Sequence, residues 1–509
     1  MTQFTNRNNQ VVPAILLTTS IILLFAIGCQ SDPDTAGASF EKIWERQFPE
    51  LSTHSSPRAA ADLNGDGVTD IVLGSGMEEM ASTPTGIIAV SGASGDRLWT
   101  YPARDQVFGS PAFLDITQDG INDIVINGRA GILIAVEGST GSVIWEFLPD
   151  VTFDEARDMG IYNFYNPQVI PDQNSDGLPD LLVANGGDYT VPPYDENRPA
   201  GKLMIISAAD GDVIAEATVP DHKETYMSAV VAKLHETDGN TSVIYGTGGE
   251  TIGGSLYLAM LEDIINEDLS GSIVLASGDE KGFIAPPLLA DLNGDGYLDI
   301  TANAVDGRTL AFSGKDYSRL WSVEINNTEV YSSLSAGPYT TDSRIDIFTT
   351  YSIGTWPDLR DNLQLLINGT TGEVLSQDTL GVFQTASPIA TDLSGNGYPE
   401  SLLSVNVGYE QFDGSYHYNH MLVGNDFRHN RQFILDDLQP GANLSSTPWA
   451  GDLDGNEQLD IIYVVTHDQN DIFGVNGFTL YRLQARHSTT TDTPWGSYMG
   501  SGYDGVFRE

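Results

Sequence analysis

One nine-residue pattern recurs along the chain and decides what the chain can fold into. Its fullest copy is Asp62-Leu63-Asn64-Gly65-Asp66-Gly67-Val68-Thr69-Asp70. Further copies run from Asp115 to Asp123, Asp172 to Asp180, Asp291 to Asp299, Asp392 to Glu400 and Asp452 to Asp460. Two worn copies fill the gaps: Pro338 to Asp346 keeps Thr340, Asp342 and Asp346, while Lys233 to Ser242 has lost nearly all its carboxylates. Eight units of about 60 residues then account for the chain after residue 40, the signature of stacked repeats rather than of one irregular core. Each loop runs into a β-branched stretch such as Ile71-Val72-Leu73 or Ile124-Val125-Ile126, read as a buried strand. A hairpin follows: Gly86 to Val90, the turn Gly92-Ala93-Ser94-Gly95, then Arg97-Leu98-Trp99. It returns at Gly131 to Trp145, Gly201 to Ala215, Gly307 to Trp321 and Asp361 to Ser376, with glycines supplying the positive φ that tight turns need.

Four strands per unit and eight units predict an all-β fold, an eight-bladed β-propeller with four-stranded blades, with seven blades as the alternative. Radial stacking lets every sheet bury both faces. The eighth unit lacks its last strand, because after Phe478 to Leu483 the chain enters Ser488 to Pro494 with no hairpin behind it. The stretch Phe40-Glu41-Lys42-Ile43-Trp44-Glu45 looks like the Leu98-Trp99 strand and is expected to close the ring as the outer strand of the last blade. Residues 40–509 are thus read as one propeller domain. Trp44, Trp99, Trp145 and Trp321 are expected to pack at blade junctions.

Positions 1, 3, 5 and 9 of each loop carry side-chain oxygens, Thr117 among them in the second copy, and position 6 is usually glycine. That is a shell for a hard cation, and calcium tolerates its irregularity better than magnesium. An EF-hand would need Glu at position 12, which is Leu73 in the first loop and Ala302 in the Asp291 loop. These are strand-loop-strand sites. A polar turn that binds nothing is the plain alternative for any one copy.

The loops resemble the FG-GAP and VCBS repeats of integrin α-subunit propellers and bacterial surface proteins. The tryptophan hairpins are similar to those of quinoprotein dehydrogenases and outer-membrane assembly lipoproteins. The resemblance covers roughly residues 40 to 509. It implies several calcium ions, mostly structural, held by Asp62, Asn64, Asp66 and Asp70; by Asp115, Asp119 and Asp123; and by Asp172, Asn174, Asp176 and Asp180. Further sites would be Asp291, Asn293, Asp295 and Asp299; Asp392, Asn396 and Glu400; and Asp452, Asp454, Asn456 and Asp460. Ser394 and Glu400 in the fifth of these, and Glu457 where the sixth should have glycine, predict weaker binding there. No pyrroloquinoline quinone is expected, since those enzymes place an adjacent-cysteine disulfide on the cofactor and Cys29 is the chain's one cysteine.

The balance of 23 Lys plus Arg against 70 Asp plus Glu, a formal charge of −47, excludes a nucleic-acid partner. Arg7 precedes an apolar run from Val11 to Ile27, read as a secretory signal over residues 1–28. The run ends Phe25-Ala26-Ile27-Gly28-Cys29, which resembles the bacterial lipobox and implies lipidation of Cys29, with residues 29–39 as a tether. An uncleaved membrane anchor is the alternative. Both place the rest of the chain outside the cytoplasm; the first puts it in the cell envelope, at the outer membrane or cell surface.

No catalytic residues are assigned, for no Gly-x-Ser-x-Gly elbow appears and His417 and His420 lie in an aromatic loop without an acidic ligand pattern. The functional signal is aromatic loops carrying Tyr162, Phe164 and Tyr165; Tyr189 and Tyr194; and Tyr409, Phe412, Tyr416 and Tyr418. Such side chains stack on sugars or build protein interfaces. The sequence therefore reads as a binding or adhesion module for an extracellular or envelope protein or a polysaccharide. Its rivals are a polysaccharide lyase or hydrolase and an envelope-assembly scaffold.

Overall fold

In the computed structural model the β-branched stretches behind the loops are the second strands of eight antiparallel sheets, which stand around one axis as the blades of an eight-bladed propeller. Eight sheets exclude the seven-bladed alternative. The structure describes residues 38–509 other than 50, 78–79, 238, 412–413, 475, 489–492 and 509. Cys29, the apolar run before it and Phe412 lie outside the described residues. Among the described residues no helix is long and apolar enough to cross a membrane.

Blade 1 shows the plan: Arg58–Ala59 lies innermost, followed outward by Ile71–Gly74, Thr83–Val90 and Arg97–Ala103. Ile71, Val72 and Leu73 are all fully buried, so the strand shows no polar alternation. Successive side chains instead go to opposite neighbours. Ile71 and Leu73 pack with Ile462 and Val464 of blade 8, and Val72 with Ile124 and Ile126 of blade 2.

The tryptophans latch one blade to the next. Each sits on an outermost strand and donates its indole N–H to the last turn of the following blade: Trp99 to Gly138 O and Trp145 to Ala208 O, both at 2.8 Å, and Trp321 to Gly369 O at 2.6 Å. The ring lies flat on the turn's glycine, which has to be glycine twice over. Gly141 has φ +69°, and a Cβ there would stand 2.6 Å from Trp99. Gly141→Ala is expected to cost about 2–4 kcal/mol, from the left-handed backbone and the displaced indole together, read as a lower denaturation midpoint at unchanged m-value.

The ring closes through its N-terminal strand. Phe40–Phe48 pairs antiparallel with Phe478–Ser488, from Phe40 opposite Ala485 to Phe48 opposite Phe478, outside Gln458–Thr466 and Trp449–Gly451. Trp44 then latches onto Gly92 O of blade 1 at 2.8 Å.

Around the channel, a belt of short polar side chains ties each blade entry to the next. Ser56 N donates to Ser110 Oγ (3.1 Å), Ser110 N to Asn166 Oδ1 (2.9 Å) and Asn166 N to Ser228 Oγ (3.2 Å). Beyond Pro286 the belt resumes with Ser333 N to Ser387 Oγ, Ser387 N to Thr447 Oγ1 and Thr447 N to Ser56 Oγ, each 2.9 Å.

Residues 493–508 fill the channel. The innermost strands would otherwise present unpaired backbone groups there. Ala390 N instead donates to Trp495 O (2.9 Å), Ala450 N to Gly496 O (2.7 Å) and Leu289 N to Gly505 O (2.8 Å). Trp495, Met499 and Phe507 are buried, and the Arg58 guanidinium lies 4.4 Å from the Tyr503 ring centre.

Candidate functional site

Antiparallel strands sort the connections by face. The nine-residue loops join first to second strands and share one face with the glycine turns; second-to-third and blade-to-blade connections share the other. The residues expected to hold calcium therefore lie on the first face, and every sequence-identified aromatic loop on the second.

The loops repeat one hydrogen-bond scheme. The position-1 carboxylate accepts from the backbone N–H of position 6: Gly67 to Asp62 (2.8 Å), Gly120 to Asp115 (2.9 Å), Gly177 to Asp172 (3.0 Å), Gly296 to Asp291 (2.9 Å), Gly397 to Asp392 (2.8 Å) and Glu457 to Asp452 (2.9 Å). The position-9 carboxylate is buried and accepts from position 2, as in Leu63 N to Asp70 (2.8 Å), Ile116 N to Asp123 (2.8 Å) and Leu393 N to Glu400 (2.7 Å). Its other oxygen takes the N–H of the glycine turn: Gly92, Gly138 and Gly314 each stand 3.0 Å from Asp70, Asp123 and Asp299. That carboxylate thus joins loop and hairpin.

Burial pushes the position-9 acids up, Asp70, Asp299 and Asp346 to about 6 and Glu400 to about 7, against the lowering by backbone N–H groups and, at Asp346 and Glu400, by the hydroxyls of Thr340 and Ser394. Asp66 and Asp62 raise Asp70 further, as Asp295 and Asp291 raise Asp299. A hard cation would reverse that shift. The donor set fits one chemically: carboxylate and amide oxygens without thiolate or imidazole, and at the worn loop a buried Asp346 Oδ1 without a hydrogen-bond partner. Asn64, Thr117, Asn174, Asp176, Asn293 and Asn396 lie at positions 3 and 5 of these loops. Among the described residues, three acids approach within 4.8 Å only at Asp452, Asp454 and Asp460, with Arg482 among them.

On the opposite face the channel opens as a cup of about 290 Å³ lined from all eight blades and floored by Tyr498. Tyr165, Tyr226 and Phe108 form one wall; Tyr165 stands 5.6 Å from Phe108 and 5.9 Å from Tyr226 between ring centres. Behind it Arg198 reaches over Tyr226 and pairs with buried Glu224 at 3.4 Å, while Lys281 pairs with Glu329 at 2.8 Å. Burial lifts Glu224 to about 7 and depresses His54 in the cup to about 4.

A second concavity on this face, about 560 Å³, lies between the second-to-third connections of blades 6, 7 and 8. Trp356 forms its centre, 6.0 Å from Phe383 and 5.9 Å from Phe473. Tyr416 and Tyr418 line it from a blade 7 hairpin that rises above its neighbours through Glu400–Glu410 and Tyr416–Asp426, and Arg360 and Asp361 supply charge. Phe473 is 48% exposed and Tyr416 45%, whereas Trp356 Nε1 is buried without a hydrogen-bond partner. A third space of about 770 Å³ lies on the loop face between the channel-filling segment, Trp449 and Tyr398.

The aromatic residues singled out from sequence divide. Tyr416 and Tyr418 line the cleft, Tyr409 stands beside it against His417, and Tyr165 lines the cup. Tyr194 is exposed, and Tyr189 packs on Phe153 at 6.1 Å. Phe164 is fully buried in the packing of blades 2 and 3 and offers a ligand no surface, and Tyr162 is 7% exposed. Their stretch is no free loop. Thr152 and Glu155 cap a short helix, Phe153–Asp158, and Asn163–Phe164 adds a strand to blade 3. His420 is buried, hydrogen-bonded to Ser404 Oγ at 2.7 Å and held neutral. Sequence reasoning missed Trp356 and Phe473; the signal was there, since both lie in connections longer than the tight turns used elsewhere.

The FG-GAP repeat matches residues 59–91, the first loop with the strands on either side of it. Protein FAM234A of Bos taurus is 29% identical over 208 residues, 36% of this chain and 35% of that protein, so the chain spans about a third of that relative's length. Europium-containing methanol dehydrogenase superposes with a TM-score of 0.55 at 9% identity, over 89% of this chain and 94% of that one. Sqt1 of Saccharomyces cerevisiae superposes with a TM-score of 0.52 at 10% identity, over 87% and 98%. At these identities the structural likeness is one of fold.

Proposed function

We propose that this chain is a binding module, exported and held at the cell envelope through a lipidated Cys29, whose propeller is stiffened by calcium on one face and takes its ligand on the other. The blade 6–8 cleft carries this reading. Exposed aromatic faces beside a guanidinium and a carboxylate are a setting in which sugar rings stack while their hydroxyls are bonded. A polysaccharide segment is therefore the preferred ligand, and an extracellular or envelope protein loop the other. Calcium would be held at Asp62, Asn64, Asp66 and Asp70 and at the corresponding residues of the acidic loops that begin at Asp115, Asp172, Asp291 and Asp392, and would neutralise their carboxylates. Nothing in the cleft requires a chemical step.

The test is equilibrium binding to a panel of acidic and neutral polysaccharides, repeated with Trp356→Ala and Tyr416→Ala. Each variant is expected to lose about tenfold in affinity, an aromatic contact being worth about 1 kcal/mol beyond its area. Unchanged affinity in both variants would move the ligand off this cleft.

A further inference from the structure

The eight blades serve as controls for one another, and one position breaks their pattern. Two residues beyond loop position 9, the second strand faces a third-strand residue that is Ala89, Ala135, Ile205, Leu258, Ala311, Leu366 and Gly424 in blades 1 to 7. In blade 8 the partner of Ile462 is Arg482. Small or aliphatic side chains suit a place between stacked sheets. An arginine with 2% of its side chain exposed needs its charge and all its donors met there.

The eighth loop meets them. Arg482 Nε donates to Asp460 Oδ1 at 2.8 Å, and Nη2 to Asp454 Oδ2 at 2.7 Å and Asp460 Oδ2 at 3.0 Å. Gln484 Nε2 adds bonds to Asp460 Oδ1 at 3.1 Å and Asp454 Oδ2 at 3.3 Å. These are the oxygens of loop positions 3 and 9, two of the groups a calcium ion would need. The third acid, Asp452, accepts from Gly455, Asn456 and Glu457 N–H, as position 1 does in the other loops. The remaining guanidinium nitrogen, Nη1, donates to Gly92 O of blade 1 at 2.8 Å, the same carbonyl that takes the Trp44 indole.

We propose that Arg482 is the resident cation of the eighth loop, so that this loop takes no calcium and the seam where the ring closes is held without metal. The inference rests on the reading of the other acidic loops as calcium sites. A planar guanidinium satisfies two carboxylates and a carbonyl at once in fixed geometry, which a seam joining the two ends of a chain can use whether or not calcium is present. The three acids draw together here because their counter-charge is covalently part of the blade.

Bound calcium counted by native mass spectrometry on the whole chain in mild detergent decides the matter. Asp454→Asn in the parent chain is expected to leave the count unchanged. Arg482→Ala, which installs the residue of blades 1, 2 and 5, is expected to raise the count by one ion, and Asp454→Asn in that background to remove it. A parent chain that loses one ion on Asp454→Asn overturns the assignment while leaving calcium at the other loops standing, and this arm holds even where Arg482→Ala does not fold. A count of zero in the parent chain and in Arg482→Ala overturns both readings.

Discussion

Chelating calcium is expected to lower the melting temperature of this protein by on the order of 10 °C. Each occupied site at a hundredfold excess over its dissociation constant contributes about 2.7 kcal/mol, and several sites act on one cooperative ring. The position-9 acids say where that energy enters. Asp70, Asp299 and Glu400 are buried and held above the carboxylate range, to about 6, 6 and 7. A native pKa raised over the unfolded one means the calcium-free fold binds more protons than the unfolded chain. Its stability from these groups is complete below about pH 4 and lost as pH rises through 6 to 7, at about 3 kcal/mol per buried acid. A divalent cation needs the ionised form, so with calcium present the trend inverts and stability climbs over that interval as protons leave. Melting curves from pH 4.5 to 7.5 with calcium and with chelator should therefore diverge. Parallel curves would show that the loops hold themselves by their backbone hydrogen bonds alone.

The same residues show why much of the fold was legible in the sequence. A loop with Asp at positions 1 and 9 and glycine at 6 is a local structure, because Asp62 bonds Gly67 N–H and Asp70 bonds Leu63 N–H, within a few residues. Repetition multiplied that local signal into a blade count. The Trp99 and Gly141 pair was legible for the same reason, since the indole and its turn recur at fixed offsets. What escaped depends on contacts far apart in sequence. Residues 493–508 carry no strand pattern of their own; their backbone bonds go to Leu289, Ala390 and Ala450, at the inner edges of three different blades. Phe164 looked like a ligand contact because it stood in a polar, tyrosine-rich stretch, but a two-residue strand tucks it under Phe147, 5.3 Å away between ring centres. The cleft is assembled from blades 6, 7 and 8, so Trp356 and Phe473 gain meaning only when the ring brings their connections together. Arg482 was unremarkable as a letter, and it became informative once the register set it opposite Ile462 and beside Asp460.

Removing the strand Phe40–Phe48 is expected to abolish the cooperative fold rather than weaken it. The strand supplies eight paired positions to blade 8 and shields the outer edge of Phe478–Ser488. It buries Trp44 at the junction with blade 1, and stacks Phe48 on Phe478 with ring centres 4.9 Å apart. Without it a long flat edge and the inter-blade core are exposed together, the condition under which strands recruit other chains. The truncated protein should elute as soluble aggregate and lose its near-ultraviolet circular dichroism, while Trp44→Ala keeps the ring and loses about 3–5 kcal/mol, the ordinary cost of emptying a buried indole site. The edge left by truncation has a fixed register, so a peptide of sequence FEKIWERQF added during refolding should restore the monomer, and one in which tryptophan is replaced by alanine should do so at higher concentration. Restoration by neither peptide, with a truncated chain that already melts cooperatively as a monomer, would mean that blade 8 is complete with three strands and that the ring is held by the channel-filling segment instead.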